Sequence, residues 1–332
     1  MANGQVVVVT GASSGIGRAI ARRFAQDGAA IGLIARGRDG LAGARRDVEQ
    51  AGGRALELPI DVSDWDAVNS AARAVEEAFG PIDVWVNNAM TTVFAPFKDI
   101  EPDEFRRATE VTYLGTVWGT KAALDRMLPR DRGSIVIVGS ALAYRGIPLQ
   151  APYCGAKHGV KGFFESLRTE LRHDKSNVHL TMVQLPGHNT PQFLHCRSKM
   201  PKVPQPVPPY YQPEVAADAV NWAAHNRRRE LYVGGPTLKT IVGNKVAPWL
   251  VERVLAKQGY SGQQSDRPAD PERRDNLMSP PPGDPGAHGP YDAGARTTSV
   301  QTQVAKRRGL VALVTGSVLI LTGFLGTARR SG

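Results

Sequence analysis

Cysteine is nearly absent from this chain: Cys154 and Cys196 are the only two in 332 residues. Two thiols make neither a disulfide framework nor a cysteine-rich metal site, and the seven histidines fall at no ligand spacing, so no bound metal is expected. Cys154 stands beside Tyr153 without a paired base and reads as packing. Aromatic residues are sparse at 7%, and the 31 acidic residues are outnumbered by 41 Lys and Arg, for a net charge of +10. Much of that excess is local, at Arg227-Arg228-Arg229, Lys306-Arg307-Arg308 and Arg329-Arg330. There is no nucleic-acid motif and no basic patch interleaved with aromatics, so nucleic acid is not an expected partner. Basic clusters at the edges of an apolar segment suit anionic lipid headgroups better. There is no internal repeat. The first apolar run begins within five residues of Met1, which leaves no room for a secretory or transit signal and assigns the main domain to the cytoplasm.

What the chain does have is alternation. Short Val/Ile/Leu/Ala runs at 5–10, 30–35, 54–60, 82–87, 133–139, 177–184 and 230–233 are predicted as strands. Helical patterns fall between them at 15–27, 39–51, 64–79, 102–128, 151–173 and 213–225. Strands apolar on both faces and separated by helices predict an α/β domain over residues 1–236, a doubly wound parallel sheet covered on both sides. Beyond it, Ile241, Val242, Val246, Trp249, Leu250, Val254 and Leu255 form an apolar series broken by Pro248, within a helical extension at 237–258. It is expected to pack on the core, with a membrane-touching surface or an entrance flap as the alternative.

Two constellations carry chemistry. The first follows strand one: Gly11-Ala12-Ser13-Ser14-Gly15-Ile16-Gly17, then an amphipathic helix from Arg18. Glycines permit a tight turn and close backbone approach, and the helix N-terminus offers free N–H groups to a pyrophosphate. The second is Tyr153 and Lys157, four apart on one helical face. An ammonium near a phenol favours phenolate, and a phenol of lowered pKa can exchange a proton with an alcohol or ketone oxygen. Ser140 lies thirteen residues upstream.

Together these residues resemble the short-chain dehydrogenase/reductase family, in its single-domain branch, over roughly residues 5–235. The resemblance implies a Rossmann fold and a nicotinamide dinucleotide. It implies that Ser140, Tyr153 and Lys157 are catalytic: Ser140 bonds the substrate oxygen, Tyr153 is general acid and base, and Lys157 also binds the nicotinamide ribose. It places Asp61 and Val62 at the adenine, Asn88 of Asn87-Asn88-Ala89 beside the cofactor, Pro186-Gly187 beside the nicotinamide, and Thr190 at the carboxamide. Three positions depart from the family pattern. Thr112 stands where relatives carry a fourth catalytic residue, Asn, and keeps a hydroxyl that can donate and accept. Met90 replaces a usual Gly, and Thr190 comes one residue early. Residues 188–212 match the family's lid and are proline-rich, which predicts a stiff flap. His188, just past Pro186-Gly187, is expected as a loop or surface histidine rather than a pocket residue.

Cofactor choice is argued from charge. The second strand ends at Ala35-Arg36, without the acid that binds a ribose 2′-hydroxyl in NAD-preferring folds. Arg36, with Arg38 and Arg18 nearby, predicts a guanidinium grip on a 2′-phosphate and so NADP(H). The expected activity is interconversion of an alcohol and a carbonyl on a small, lipophilic substrate, and a homo-oligomer is compatible with the chain. The competing reading, motivated by Thr112 and Met90, is a non-catalytic NADP(H)-binding membrane scaffold or redox sensor. Residues 259–305 are rich in Gly, Pro, Ser, Asp and Arg and predict a disordered linker. Residues 309–328 carry no charge, and twenty residues of helix reach about 30 Å. A single C-terminal membrane anchor over 306–330 is therefore expected, with the catalytic domain cytoplasmic.

Overall fold

The computed structural model describes residues 4–270 and 272–307. Its centre is a seven-stranded sheet: β1 (Val6–Thr10), β2 (Ala30–Ala35), β3 (Arg54–Pro59), β4 (Val84–Asn87), β5 (Ser134–Ser140), β6 (His179–Leu185) and β7 (Glu230–Tyr232). The spatial order is β7-β6-β5-β4-β1-β2-β3, with every pairing parallel. The Val6–Thr10 run is buried throughout, as a strand covered on both faces must be. The chain winds outward from β1 in one direction to β3, then returns to β4 on its other side. The crevice at that reversal is where open α/β sheets bind ligands.

Helices cover both faces. On one side lie α1 (Gly15–Ala25), α2 (Arg38–Gln50) and, later in the chain, the helix Pro213–His225, whose core includes Ile20, Phe24, Leu41 and Val220. On the other lie α3 (Trp65–Phe79) and the helices Gly115–Met127 and Ala151–His173, packed through Val75, Trp85, Met127 and Phe164. The buried Trp85 indole donates to Asn87 Oδ1 at 2.9 Å, and Asn87 Nδ2 donates to Thr120 Oγ1 at 2.9 Å, so the polar atoms inside this layer are paired. The expected helix 102–128 is interrupted: α4 (Pro102–Thr109) passes through a π-turn at Glu110–Leu114 into α5 (Gly115–Met127). Such turns insert one extra residue per turn and shift the side chains that follow.

The expected apolar extension forms two helices, Gly234–Val246 and Pro248–Gln258. They do not bury into the core. Val246 is 78% exposed and Trp249 60%.

Residues 259–305 differ from the linker expected of them. Gln264–Pro268 pairs antiparallel with Lys202–Pro204, Leu277 is fully buried among Val93, Ala95 and Ala108, and Val300–Lys306 is helical with Thr302 buried. The composition argument asks whether a segment can build a core of its own. This one borrows the domain's surface, through single apolar contacts and many polar ones. Among the described residues no helix is long and apolar enough to cross a membrane. The expected span 309–328 lies outside the described residues.

The helix Ala151–His173 carries the Tyr153–Lys157 pair and is seated by Phe164, which is fully buried. Phe164→Ala should destabilise the chain by about 3–5 kcal/mol, the range for deleting a buried aromatic side chain. Urea unfolding should show this as a lower midpoint with an unchanged slope.

Candidate active site

Two cavities open at the carboxyl ends of the strands. The smaller, of about 180 Å³, is lined by Gly11, Ser13, Ser14, Gly15, Ile16, Ala35, Arg36, Asp61, Val62, Asn88 and Thr190. The larger, of about 940 Å³, is lined by Ser140, Tyr153, Lys157, Pro186, Gly187 and His188 and by the helices Gly234–Val246 and Pro248–Gln258. Ile16, Asn88, Met90, Thr190 and Gln192 border both, so the two spaces abut. Every residue expected at the site lines one cavity or the other except Gly17 and Thr112.

Gly17 acts from behind the turn. A Cβ there would lie 2.1 Å from the Gly11 carbonyl oxygen, which only glycine avoids. Gly11 and Gly15 both take positive φ, at 68° and 55°. The cradle thus fits a pyrophosphate approaching the start of α1. Across the same cavity the Asp61 carboxyl finds its donors within the chain. Asp61 accepts from Ser63 N–H at 3.0 Å, from Ser63 Oγ at 2.8 Å and from Arg107. Those donors outweigh burial and hold its carboxyl below the usual range.

Arg36 borders the smaller cavity, but its guanidinium donates to the backbone carbonyls of Asn276, Leu277 and Met278. Arg38 is exposed and lines neither cavity. Arg18 is buried, pairing with Asp47 at 2.7 Å and with Asp284.

Strand β5 ends on Ser140, whose Oγ accepts from Leu142 N–H at 3.1 Å. The helix after it brings in Tyr153 and Lys157, with the ammonium 5.6 Å from the phenol ring centre. Lys157 Nζ donates to the Val138 carbonyl at 2.8 Å. Proximity does not make the phenol acidic in this chain. Burial pushes Tyr153 up to about 12, against which a hydrogen bond with Ser140 acts in the other direction. Burial lowers Lys157 to about 8. The spacing argument captured the neighbour and omitted desolvation, which acts on both groups and disfavours both charges.

Thr112 is fully buried, donating to the Thr91 carbonyl at 2.9 Å and accepting from Thr91 N–H at 3.0 Å. Its hydroxyl fastens the segment after β4 to the π-turn and does not border the larger cavity. His188 is the residue the sequence reading misplaced. It is 4% exposed and lines the larger cavity. Burial lowers its pKa to about 4, so the ring is neutral. Nδ1 lies 3.0 Å from the Pro186 carbonyl and must carry the proton, which leaves Nε2 a buried acceptor without a partner. Gln263, from the segment read as a linker, also lines this cavity and accepts from Gln150 Nε2 at 2.7 Å. The position of His188 directly after Pro186-Gly187 was the available signal. Nothing in the composition around Gln263 pointed to the site.

Comparison with known proteins identifies the family. The family model described as short chain dehydrogenase matches residues 5–200. A Bacillus subtilis protein, the uncharacterized oxidoreductase YxnA, is 32% identical over 310 residues, covering 91% of this chain and 85% of its own. A 3-dehydrosphinganine reductase from Danio rerio is 35% identical over 196 residues, a match that spans 58% of each protein. Among solved structures, a short chain dehydrogenase from Mycobacterium paratuberculosis bound to NAD superposes with a TM-score of 0.61 at 26% identity, over 70% of this chain and 96% of that one. An alcohol dehydrogenase from Thermococcus sibiricus complexed with 5-hydroxy-NADP gives 0.59 at 28% identity, over 69% and 95%. The family model covers more than half of the chain and the Bacillus subtilis relative most of it, and the chain belongs to the short-chain dehydrogenase/reductase family of oxidoreductases.

Proposed function

We propose that the chain is an NADP(H)-dependent oxidoreductase that interconverts an alcohol and a ketone or aldehyde on a lipophilic substrate. The observation that carries this reading is the placement of Ser140, Tyr153 and Lys157 on the wall of a large cavity that abuts the glycine turn. When bound, the nicotinamide supplies the hydride; the protein supplies position and a proton. Ser140 donates its hydroxyl hydrogen to the substrate oxygen. Tyr153, held protonated by burial, gives its proton to that oxygen in reduction and recovers it in oxidation. Lys157, anchored on Val138, sets the height of the phenol and keeps a positive charge beside it. Gly11, Ser13, Ser14, Gly15, Ile16 and Gly17 form the pyrophosphate cradle. Asp61, Val62 and Asn88 border the adenosine side. Pro186 and Gly187 line the larger cavity, and Thr190 borders both.

NADP(H) is favoured by the absence of an acid at Ala35 and by the Arg36 guanidinium at the rim of the smaller cavity. A lipophilic substrate is favoured by the larger cavity's apolar wall, with Leu142, Ile147, Val251 and Leu255 among its residues, and by similarity to a 3-dehydrosphinganine reductase. The neutral His188 offers one acceptor, Nε2, for a hydroxyl or amino group on such a molecule. A membrane anchor in 306–330 would bring the cavity to its substrate, and the exposed Val246 and Trp249 lie on the helices that form the cavity wall.

Tyr153→Phe should lower kcat/KM by about 10²–10⁴, the range for general acid–base catalysis, with dinucleotide binding by fluorescence titration unchanged. Equal turnover by the variant would refute the assignment. Wild-type kcat/KM should be higher with NADPH than with NADH. Arg36→Asp should remove about 1.5–3 kcal/mol of that preference, as for a hydrogen bond to a charged group, which is roughly ten- to hundredfold. Deleting residues 306–332 should move the protein from the membrane pellet to the soluble fraction, and continued sedimentation with membranes would defeat the anchor.

A further inference from the structure

Residues 276–286 cross the mouth of the smaller cavity, and Asn276, Pro280, Pro281, Gly283 and Pro285 form its outer wall. The crossing is latched at both ends. At one end Leu277 is fully buried, and the carbonyls of Asn276, Leu277 and Met278 take the Arg36 guanidinium. At the other, Asp284 pairs with Arg18 and lies 3.4 Å from Arg46, while the Gly286 carbonyl accepts from Gly15 N–H at 3.0 Å. Between them Gly283 N–H donates to Asp39 at 3.0 Å.

The acceptors are placed as an anionic nucleotide would place its own. A carboxylate stands against an arginine of the glycine turn, a carbonyl against an N–H at the start of α1, and three carbonyls against the arginine after β2. The space left beneath is about 180 Å³. Small-molecule sites run from about 300 to 1,000 Å³, so the adenosine half of a dinucleotide does not fit under the closed segment.

We propose that residues 276–286 are a strap that competes with the dinucleotide for its own donors, so that cofactor enters only when the strap lifts, and that a 2′-phosphate must in addition take Arg36 from the strap's carbonyls. The second clause rests on the NADP(H) reading; the first does not. The consequence is a binding site whose apparent affinity is reduced by the fraction of chains with the strap open. Weakening the latch should therefore tighten binding rather than weaken it.

Asp284→Ala is the direct test, because Arg18 keeps Asp47 as its partner. Fluorescence titration of the full chain with NADPH and with NADH, together with hydrogen exchange across 276–286, reads both clauses. The variant should bind at least one dinucleotide about fivefold or more tightly than wild type, with the gain larger for NADPH. Saturating the wild type should raise exchange in the strap. Asp39→Ala, which removes only the bond to Gly283, should act in the same direction by less. Tighter binding confined to NADH would uphold the strap and refute the 2′-phosphate reading. Unchanged, weaker or absent binding by both variants, or a strap that stays protected under saturating dinucleotide, would overturn the proposal.

Discussion

A single threonine ties the end of β1 to the end of β4. Thr10 Oγ1 accepts from Asn88 N–H at 2.9 Å and from Ala89 N–H at 3.0 Å, and Asn88 Nδ2 returns a bond to the Thr10 carbonyl at 3.1 Å. The β1–β4 ladder ends at Val9 opposite Val86, so these amides lie beyond the last regular pairing. Buried amides left without acceptors would each cost about 1–3 kcal/mol. The clamp therefore fixes where the two strands part, and with that the width of the crevice. The glycine turn leaves from one side of it. The Asn88–Met90 stretch leaves from the other and becomes the wall shared by the two cavities. Ser140 is set by the same ladder, two strands across from β1.

The sheet and the grouping of Ser140, Tyr153 and Lys157 on one cavity were legible because their signals are local. A strand covered on both faces is mostly apolar, as β1 and β2 are, buried throughout, while the edge strand β3 keeps Arg54 and Glu57 and is only partly buried. The glycine turn is legible because close backbone approach excludes any Cβ, as Gly17 shows against Gly11. Tyr153 and Lys157 are legible by helical spacing. Their titration was not, because spacing reports distance between two groups and says nothing of water. Nor was the π-turn at Glu110–Leu114, where residues of ordinary helical propensity are diverted by what they pack against.

The strap shows the opposite case. Pro280, Pro281, Pro282 and Gly283 cannot form a helix or an inner strand, and the segment has little to bury. Those facts exclude autonomous folding and leave docking open. Proline helps here: it has fewer unfolded conformations to lose, and with no N–H it leaves fewer donors to satisfy along an irregular path. What holds the segment is spread over Leu277, Asp284 and backbone carbonyls, whose partners, Arg36, Arg18 and Gly15, lie about 240 to 270 positions earlier in the chain. No window of sequence contains both halves of any of these contacts. Two of the three arginines that read as cofactor ligands, Arg36 and Arg18, bond to this segment, and a charge pattern is silent on which groups occupy such a site first.

Lys157 joins fold and chemistry most tightly. Its ammonium bonds to the carbonyl of Val138, two residues before Ser140 on the same strand. That bond ties the helix bearing Tyr153 to the strand bearing Ser140, so the distance between phenol and serine is set partly by the lysine. Burial lowers the ammonium to about 8, and the bond it gives to the Val138 carbonyl is a charge-assisted one. The phenol beside it has only the serine to offset burial and stays firmly protonated. In this arrangement desolvation is what holds a proton on the tyrosine, and the lysine's bond to Val138 is what holds the phenol near the serine.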